Sequence, residues 1–288
     1  QLHFGQLENV PVAVPATIRR MEILFLFGLG VIAGTLGGLL GIGGSVVMIP
    51  ALSIILGWQF HLAQAVAMTV NPAVAVSAAT KHHQNQNVSW TAVRRVLPLS
   101  IVCICIAAWL SNYIDAAWLE MSFGCFLIWV LWDQIACLVG NTSHNGGESK
   151  ETITRCGVTG GVTGLTAGFL GIGGGLIQVP LLNTLCKIPI KKAIGTSSAI
   201  MFVTAVIGAA VKDVSLVNSV NESGESNGLH AMDAVIKSAW LIPGALIGGW
   251  IGAKLTNALP VKQIRIAFAV LVVLAAIKML TSAVSVLF

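Results

Sequence analysis

The feature that most constrains this chain is a glycine-rich motif that occurs twice, each time inside a long apolar stretch. The first copy reads Gly-Ile-Gly-Gly-Ser-Val-Val-Met-Ile-Pro-Ala-Leu over residues 41–52, and the second reads Gly-Ile-Gly-Gly-Gly-Leu-Ile-Gln-Val-Pro-Leu-Leu over residues 171–182. Clustered glycines weaken a helix by about 1 kcal/mol each. We therefore expect a helix to break at residues 41–44, the first glycine loop, and again at residues 171–174, the second glycine loop.

The stretches around the glycine loops are typical of membrane helices. The chain of 288 residues is 56% hydrophobic and 9% charged, against about 25% charged residues in soluble domains. Its mean hydropathy is +0.86, and several apolar stretches have the roughly 20 residues needed to cross a bilayer. An unbroken helix from Glu22 to Ile55 would be roughly 50 Å long, too long for one crossing. The sequence thus predicts an all-α polytopic membrane protein, surrounded by lipid, with half-length helices at 45–56 and 175–186.

The expected segments fall into two halves of similar plan. The other apolar segments are expected at about 22–40, 61–80, 91–111, 117–139, 156–170, 193–211, 233–257 and 263–285. The domain plan is an N-terminal segment (1–20), a first transmembrane repeat (21–140), a polar linker (141–155) and a second transmembrane repeat (156–288), with a polar loop from Ser215 to His230.

A comparison of the chain with itself supports an internal duplication. Between Gly30 and Leu52, the residues identical to those 130 positions later are Gly30, Gly34, Gly38, Leu40, Gly41, Ile42, Gly43, Gly44, Pro50 and Leu52. Further on, at an offset of 145, Leu110, Asn112 and Phe123 match Leu255, Asn257 and Phe268. Such repeats are common in secondary transporters, whose substrate site lies at the repeat interface near the middle of the membrane.

Each half is predicted to hold a glycine-broken helix hairpin and three transmembrane helices. If the hairpin enters and leaves the membrane on the same side, each half crosses the membrane an odd number of times and the two repeats are inverted. If the broken unit instead crosses the membrane once, the repeats are parallel. With the N-terminus outside, the inverted arrangement leaves on the outer side only Arg19, Arg20, Lys212, Lys237 and Lys278. Because cytoplasmic segments are enriched in Lys and Arg, we favour inverted repeats.

Some of the glycines are spaced for helix packing rather than for binding. They recur every fourth residue and so lie on one face of a helix, as Gly30, Gly34 and Gly38, Gly160, Gly164 and Gly168, and Gly244, Gly248 and Gly252. Small residues at this spacing let two helices approach closely, and we assign them no ligand.

The glycine loops themselves predict an anion site. Broken backbone at membrane depth persists only where protein or a watery cavity satisfies its polar groups. The helix after each loop begins with unpaired N–H donors and the positive end of its dipole. Two such ends facing each other would form one central site. The candidate substrate-binding residues are Gly41, Gly43, Gly44, Ser45, Thr69, Asn71, Gly171, Gly173, Gly174, Gly175, Gln178, Thr196, Ser197 and Ser198.

Alternatives remain open at this point. Each loop could be a tight packing turn without a ligand, and each hydroxyl or amide could simply hydrogen-bond a neighbouring helix. Asp133 lies near the end of its segment, where interfacial water would solvate it, and Lys212 and Asp213 are expected to face water. His61, His82 and His83 flank helices and are expected in capping or interfacial positions, so no proton-coupling residue stands out.

Other classes of function are disfavoured. The chain has none of the HExxH, GxSxG, Walker A or kinase-type sets, so we do not expect an enzyme, a cofactor or a metal site. It has no basic groove or aromatic platform for nucleic acid. The six cysteines show no CxxC spacing and are expected to pack as small apolar residues.

The paired GIGG(G/S)xxxxPxL motifs, set in a duplicated apolar chain of eight segments, resemble the TauE/SafE sulfite exporter family. The resemblance covers essentially the whole chain and maps the family signature onto residues 41–45 with Pro50 and residues 171–175 with Pro180. It implies transport of sulfur-containing anions, such as sulfite, thiosulfate, sulfoacetate or taurine-related sulfonates, across the inner membrane. The first copy has Ser45 where the second has Gly175, which would make the two half-sites unequal.

Together these observations predict a secondary transporter, an exporter of a small sulfur oxyanion or organosulfonate, in the cell inner membrane. Neutral donors suit an anion that must be bound and then released. An anion channel would share the site, and a non-transporting scaffold or assembly protein would have little need for broken helices. The sequence leaves open whether the protein forms a homo-oligomer.

Overall fold

Helices form the regular structure in the part of the chain that the computed structural model describes: residues 16–139, 151–218 and 228–260 and, in part, 262–277. They are α1 (Ala16–Leu40), α2 (Ser45–Pro50), α3 (Phe60–Gln84), α4 (Trp90–Leu110), α5 (Ala116–Val139), α6 (Ile153–Leu170), α7 (Gly175–Thr184), α8 (Ile190–Asn218) and α9 (Gly228–Ala258). A π-helical turn (Ala51–Ile55) extends α2, and a short 3₁₀ turn (Ser111–Tyr113) follows α4.

Five of the described helices are long and apolar enough to cross a membrane. The spans are Met21–Leu40, Phe60–Gln84, Trp90–Leu110, Ile190–Val214 and Val235–Ala258, and a shorter apolar stretch covers Ala117–Trp129. These spans confirm the prediction of an all-α polytopic membrane protein.

Several helix ends differ from those predicted. The helix α1 begins at Ala16, inside the expected N-terminal segment, and α6 begins at Ile153, inside the expected linker. The predicted loop from Ser215 to His230 is helical at both of its ends, because α8 continues to Asn218 and α9 starts at Gly228. Polar residues extend these helices beyond their apolar spans, and hydropathy alone cannot place such ends. The remaining linker residues, 141–150, and most of the last predicted segment lie outside the described residues.

Both glycine loops interrupt the helices where the motifs predict. Leu40 ends α1 and Ser45 begins α2, while Leu170 ends α6 and Gly175 begins α7. The backbone of Gly43 has a φ of +79° and that of Gly173 has a φ of +69°. A side chain at such a φ strains the backbone, so glycine is what permits these two turns.

The glycine faces bring helices from the two halves of the chain into close contact. A β-carbon placed on Gly34 of α1 would lie 2.6 Å from the carbonyl oxygen of Ala245 in α9. One placed on Gly164 of α6 would lie 2.5 Å from the carbonyl oxygen of Ser100 in α4. The two glycines are 130 positions apart, and Ser100 and Ala245 are 145 positions apart, so the contacts follow the offsets of the sequence comparison. Whether the halves are inverted repeats stays a prediction.

The helices α3 and α8 run antiparallel through the middle of the molecule. Near one end, a β-carbon on Gly195 of α8 would lie 2.9 Å from Cβ of His82 in α3. Towards the other end, one on Gly208 would lie 2.7 Å from the terminal methyl carbon of Met68. This pair of helices positions the side chains that surround the glycine loops.

Two of the cysteines contact each other in the interior. The Sγ atoms of Cys156 and Cys186 are 3.8 Å apart, and both residues are buried. The thiols of these two residues are free, and they join α6 to the end of α7 by packing.

Candidate functional site

The two glycine loops lie directly against each other. A β-carbon placed on Gly175, the first residue of α7, would lie 2.5 Å from the carbonyl oxygen of Gly41. Residues 41–46 and 171–179 are all buried. The structure therefore brings the two motifs, which are distant in sequence, together at one buried junction.

Two side chains, Asn71 of α3 and Met201 of α8, contact both loops at this junction. A β-carbon on Gly43 would lie 3.0 Å from Asn71 Oδ1 and 2.9 Å from Met201 Sδ. One on Gly173 would lie 2.8 Å from Asn71 Nδ2 and 3.3 Å from Met201 Cγ. Asn71 and Met201 are 130 positions apart, the same offset as the two motifs. The junction thus has an amide at one of these positions and a thioether at the other.

Asn71 holds the first glycine loop through both ends of its amide. The backbone N–H of Gly44 donates to Asn71 Oδ1 at 3.0 Å, and Asn71 Nδ2 donates to the hydroxyl of Ser45. Asn71 is fully buried, so these bonds are shielded from water. One of the donors expected to be free for an anion at the start of α2 is therefore bound by the protein itself.

The second glycine loop has no equivalent clamp. The residue before α7 is Gly174, and no side-chain cap is formed there among the described residues. Met201 occupies the position that corresponds to Asn71, and its thioether is only a weak hydrogen-bond acceptor. The first N–H groups of α7 also have no partner within the helix itself. The glycine loop before α7 therefore lacks the side-chain acceptor that Asn71 provides at the loop before α2.

Gln178 and Ser197 link this second loop to the first loop. The hydroxyl of Ser197 in α8 donates to the carbonyl oxygen of Gly41 at 2.8 Å and lies 3.2 Å from Gln178 Oε1. Gln178 is only 1% exposed. Its Nε2 is buried and has no hydrogen-bond partner among the described residues, which leaves an amide donor unused beside the junction.

Gln64 of α3 is a further polar residue at the junction, and it is not among the residues predicted from the sequence. Its Nε2 donates to the carbonyl oxygen of Phe169 at 2.7 Å, at the end of α6, and its side chain packs against Gly171. Its Oε1 is buried without a partner in the described part of the chain. The repeat offset could have indicated it, because Gln64 corresponds to Ile194, 130 positions later, and Ile194 packs against Gly41 as Gln64 packs against Gly171. A polar residue at a position that is apolar in the other half is a candidate for a site.

Three predicted site residues make their hydrogen bonds elsewhere. The hydroxyl of Thr69 donates to Ala65 O and lies 3.3 Å from Asp213 Oδ2. Thr196 donates to Lys192 O and accepts from Ser89 N, and Ser198 donates to Ile194 O. The structure places none of their hydroxyl bonds at the glycine loops.

The interpretation of Lys212 as a residue that faces water is wrong, whereas Asp213 is partly exposed. Lys212 is completely buried, with Nζ 2.9 Å from Ser111 Oγ, and Asp213 Oδ1 is buried as well. His82 is completely buried, with Nε2 3.3 Å from Gly38 O in the last turn of α1, so of its two predicted positions the capping one agrees with the structure and the interfacial one is wrong. Lys212 is enclosed because α8 continues past it to Asn218. The side chain of Asp133 lies outside the described residues.

The described residues contain no cluster of three or more His, Cys, Asp or Glu side chains that could hold a metal ion. The side chains around the glycine loops are instead amides, hydroxyls and a thioether. Their chemistry suits a ligand held by neutral hydrogen-bond donors.

The chain is similar in sequence to several probable membrane transporter proteins. A probable membrane transporter protein, MamO, of Magnetospirillum gryphiswaldense is 28% identical over 302 residues, which cover 93% of this chain and 46% of that protein. A probable membrane transporter protein of Haemophilus influenzae is 26% identical over 265 residues, covering 89% of this chain and 97% of its own length. A probable membrane transporter protein of Methanocaldococcus jannaschii is 30% identical over 191 residues, covering 62% of this chain and 68% of its own length. The chain thus spans about half the length of MamO.

No solved structure matches the chain. The sequence profile of a family described as sulfite exporter TauE/SafE matches residues 26–279, which include both glycine loops. This match covers most of the sequence and agrees with the membrane spans and the paired motifs. The chain therefore belongs to the sulfite exporter TauE/SafE family of membrane proteins.

Proposed function

We propose that the protein is a secondary transporter that exports small sulfur-containing anions, such as sulfite or organosulfonates, across the inner membrane. The family and the names of the relatives support a membrane transporter. The family name supports sulfite as the first substrate to test, and the site chemistry supports an oxyanion more generally.

The observation that carries the proposal is the unused donor of Gln178 at the junction of the loops. Leaving a buried donor unsatisfied costs about 1–3 kcal/mol. An oxyanion at the start of α7 would accept from this amide and from the first N–H groups of the helix, where the dipole also favours negative charge. The proposed seat therefore combines Gln178 with the backbone of residues 173–175.

The two sides of the junction would contact different parts of a substrate. Asn71 and Ser45 present an amide and a hydroxyl, whereas Met201 presents a thioether to the same space. This difference between the two sides suits an anion with one strongly polar face and one more polarisable or apolar face. Sulfite, with its sulfur lone pair, and an organosulfonate, with its carbon chain, are such anions. A uniformly polar oxyanion such as sulfate gains less from Met201.

Burial of the junction favours a transporter over a channel. Ser45, Asn71 and Ser197 are fully buried in the structure. An anion could reach their side chains only after helices move, which is how a carrier exposes one site alternately to each side. A channel requires a continuous path while it conducts.

The test is transport by the purified protein in proteoliposomes. Uptake of sulfite, thiosulfate, sulfoacetate, taurine and sulfate would be measured with and without unlabelled substrate inside. A carrier exchanges internal for external anion, so preloading should accelerate uptake. Flux without such acceleration would identify a channel, and no flux of any anion would refute the transport function.

The role of the seat is tested by Gln178→Met, which removes the amide and keeps a side chain of similar length. Gln263→Met serves as a matched control because Gln263 is exposed. We expect the first variant to lose most of the exchange and the second to retain it. Equal activity of the two variants, in equal amounts of folded protein, would overturn the assignment of the seat.

A further inference from the structure

A second polar cluster lies within the membrane span of α8, away from the glycine loops. It contains Lys212, which is completely buried, and Asp213, whose Oδ1 is buried and has no hydrogen-bond partner among the described residues. Ionisable side chains inside membrane segments are costly and usually functional. The anion site proposed above uses neither residue.

The surroundings of Asp213 are defined by α3 and by the turn after α4. Its Oδ2 lies 3.3 Å from the Thr69 hydroxyl, which donates to Ala65 O, while the neighbouring Lys212 donates from Nζ to Ser111 Oγ at 2.9 Å. His61 of α3 is within electrostatic range of Lys212, and its Nδ1 is buried without a partner in the described part of the chain. The cluster therefore contains two buried atoms, Asp213 Oδ1 and His61 Nδ1, that are able to accept a proton.

In the described part of the chain, few charged groups face Asp213. Lys212, next to it on α8, is the charged group that interacts with it there, and Thr69 of α3 places a neutral hydroxyl beside it. Asp115, which is exposed and lies just before α5, interacts electrostatically with His61. With Lys212 cationic and Asp213 ionised, these two side chains have no net charge. A proton on Asp213 would change that total by one near the end of the span Ile190–Val214, beside the fully buried Lys212.

The cluster is linked to the anion junction through a single turn of α3. Thr69, which contacts Asp213, is two residues from Asn71, which holds the first glycine loop. The next residue, Pro72, lies inside α3 and has no N–H to donate, so the helix lacks one hydrogen bond at this turn. A shift at Thr69 would thus act on Asn71 through the backbone of the same turn, beside a proline at which α3 can bend.

We propose that Asp213 is the proton-binding site that couples anion transport to a proton gradient. The inference rests on the proposed transport function and adds its driving ion. A hydronium ion from one side gives its proton to Asp213 Oδ1 and leaves as water, and the carboxyl group returns the proton to water on the other side. The proton changes the contact with Thr69 and, through α3, the grip of Asn71 on the first glycine loop.

The experiment compares two kinds of flux in proteoliposomes that contain sulfite or the best substrate found. Exchange of internal for external anion needs no net proton movement, whereas accumulation driven by a pH gradient does. In Asp213→Asn we expect exchange within about threefold of the unaltered protein and loss of the stimulation by a pH gradient of either sign. The matched control is Asp115→Asn, which removes an exposed carboxylate at the same end and should keep the stimulation.

A measurement on the unaltered protein keeps the proposal testable if Asp213→Asn does not fold. Vesicles loaded with a pH-sensitive dye would report proton movement when the anion is added. Dicyclohexylcarbodiimide, which modifies protonated carboxyl groups in apolar surroundings, should label Asp213 and abolish that movement. Anion flux without proton movement, or full stimulation in Asp213→Asn, would overturn this inference alone. Absence of any anion flux would instead refute the transport function itself.

Discussion

Alanine at Gly173 would test whether the contact between the glycine loops and Asn71 is functional. Gly173 has a φ of +69°, and a β-carbon there would lie 2.8 Å from Asn71 Nδ2. Gly57 has nearly the same φ, +65°, but a β-carbon there would meet nothing within 4 Å. The two glycines therefore share the backbone strain of a substitution and differ in the collision with Asn71.

The expected magnitudes follow from these two terms. An L-residue in the left-handed region costs about 1–2 kcal/mol, so both variants should lose that much stability. In Gly173→Ala the amide of Asn71 must also move, which weakens its bonds to Gly44 N and Ser45 Oγ. At about 1 kcal/mol for each bond, the total loss of unfolding free energy is about 3–4 kcal/mol for Gly173→Ala.

Transport should separate the two variants more clearly than stability does. If the displaced amide weakens the transport-competent site by one hydrogen bond, about 1 kcal/mol, the rate falls about fivefold. The assay is initial anion uptake per folded protein in proteoliposomes, with thermal unfolding in detergent measured in parallel. Gly57→Ala should transport normally. If Gly173→Ala matched it in rate, the contact with Asn71 would have no role in transport.

Further predictions concern the same junction and the helix packing around it. Asn71→Asp keeps the acceptor for Gly44 N but adds a negative charge, so anion uptake should fall by at least about tenfold (a 1.4 kcal/mol effect) while the purified protein stays monodisperse; normal uptake would place the anion elsewhere. Gln178→Met should raise the unfolding temperature in detergent, because an unpartnered donor that costs about 1–3 kcal/mol is removed, and a lower unfolding temperature would show that the amide is satisfied. Gly34→Ala should destabilise the protein, since the new methyl would lie 2.6 Å from Ala245 O. In Gly28→Ala the new methyl has nothing within 4 Å, so this variant should be neutral or gain about 0.5–1 kcal/mol of unfolding free energy through helix propensity. Equal unfolding temperatures of the two variants would contradict the close approach of α1 and α9.

The helix breaks and the close helix contacts were predictable because glycine spacing has direct steric consequences. The positions of helix ends were less so: the predicted segment 193–211 stops short of Lys212, yet α8 continues to Asn218 and buries that lysine. Hydropathy counts a charged residue as an end, whereas a long helix can enclose it among its neighbours.

The site was predictable only as far as proximity to the motifs allowed. Thr69 and Asn71 are two residues apart, which on a helix is a rotation of about 200°, so they could not both face the loops. In the same way, of three consecutive hydroxyl residues in α8 only Ser197 reaches the first loop. Met201 was missed because an apolar residue in a membrane helix gives no signal of its own. The faces of the helices become known only from their packing.

The close packing of α1 on α9 and of α6 on α4 has a consequence for how such a chain could arise. Each pair takes one helix from either side of the connection at residues 140–150, so neither half can cover its own glycine face. A half synthesised alone would expose that face to lipid, and it could bury the face only by binding a second copy of itself. If the internal duplication predicted from the sequence reflects gene fusion, an ancestor of half this length would therefore have been a dimer, and the fusion would have fixed the partner permanently.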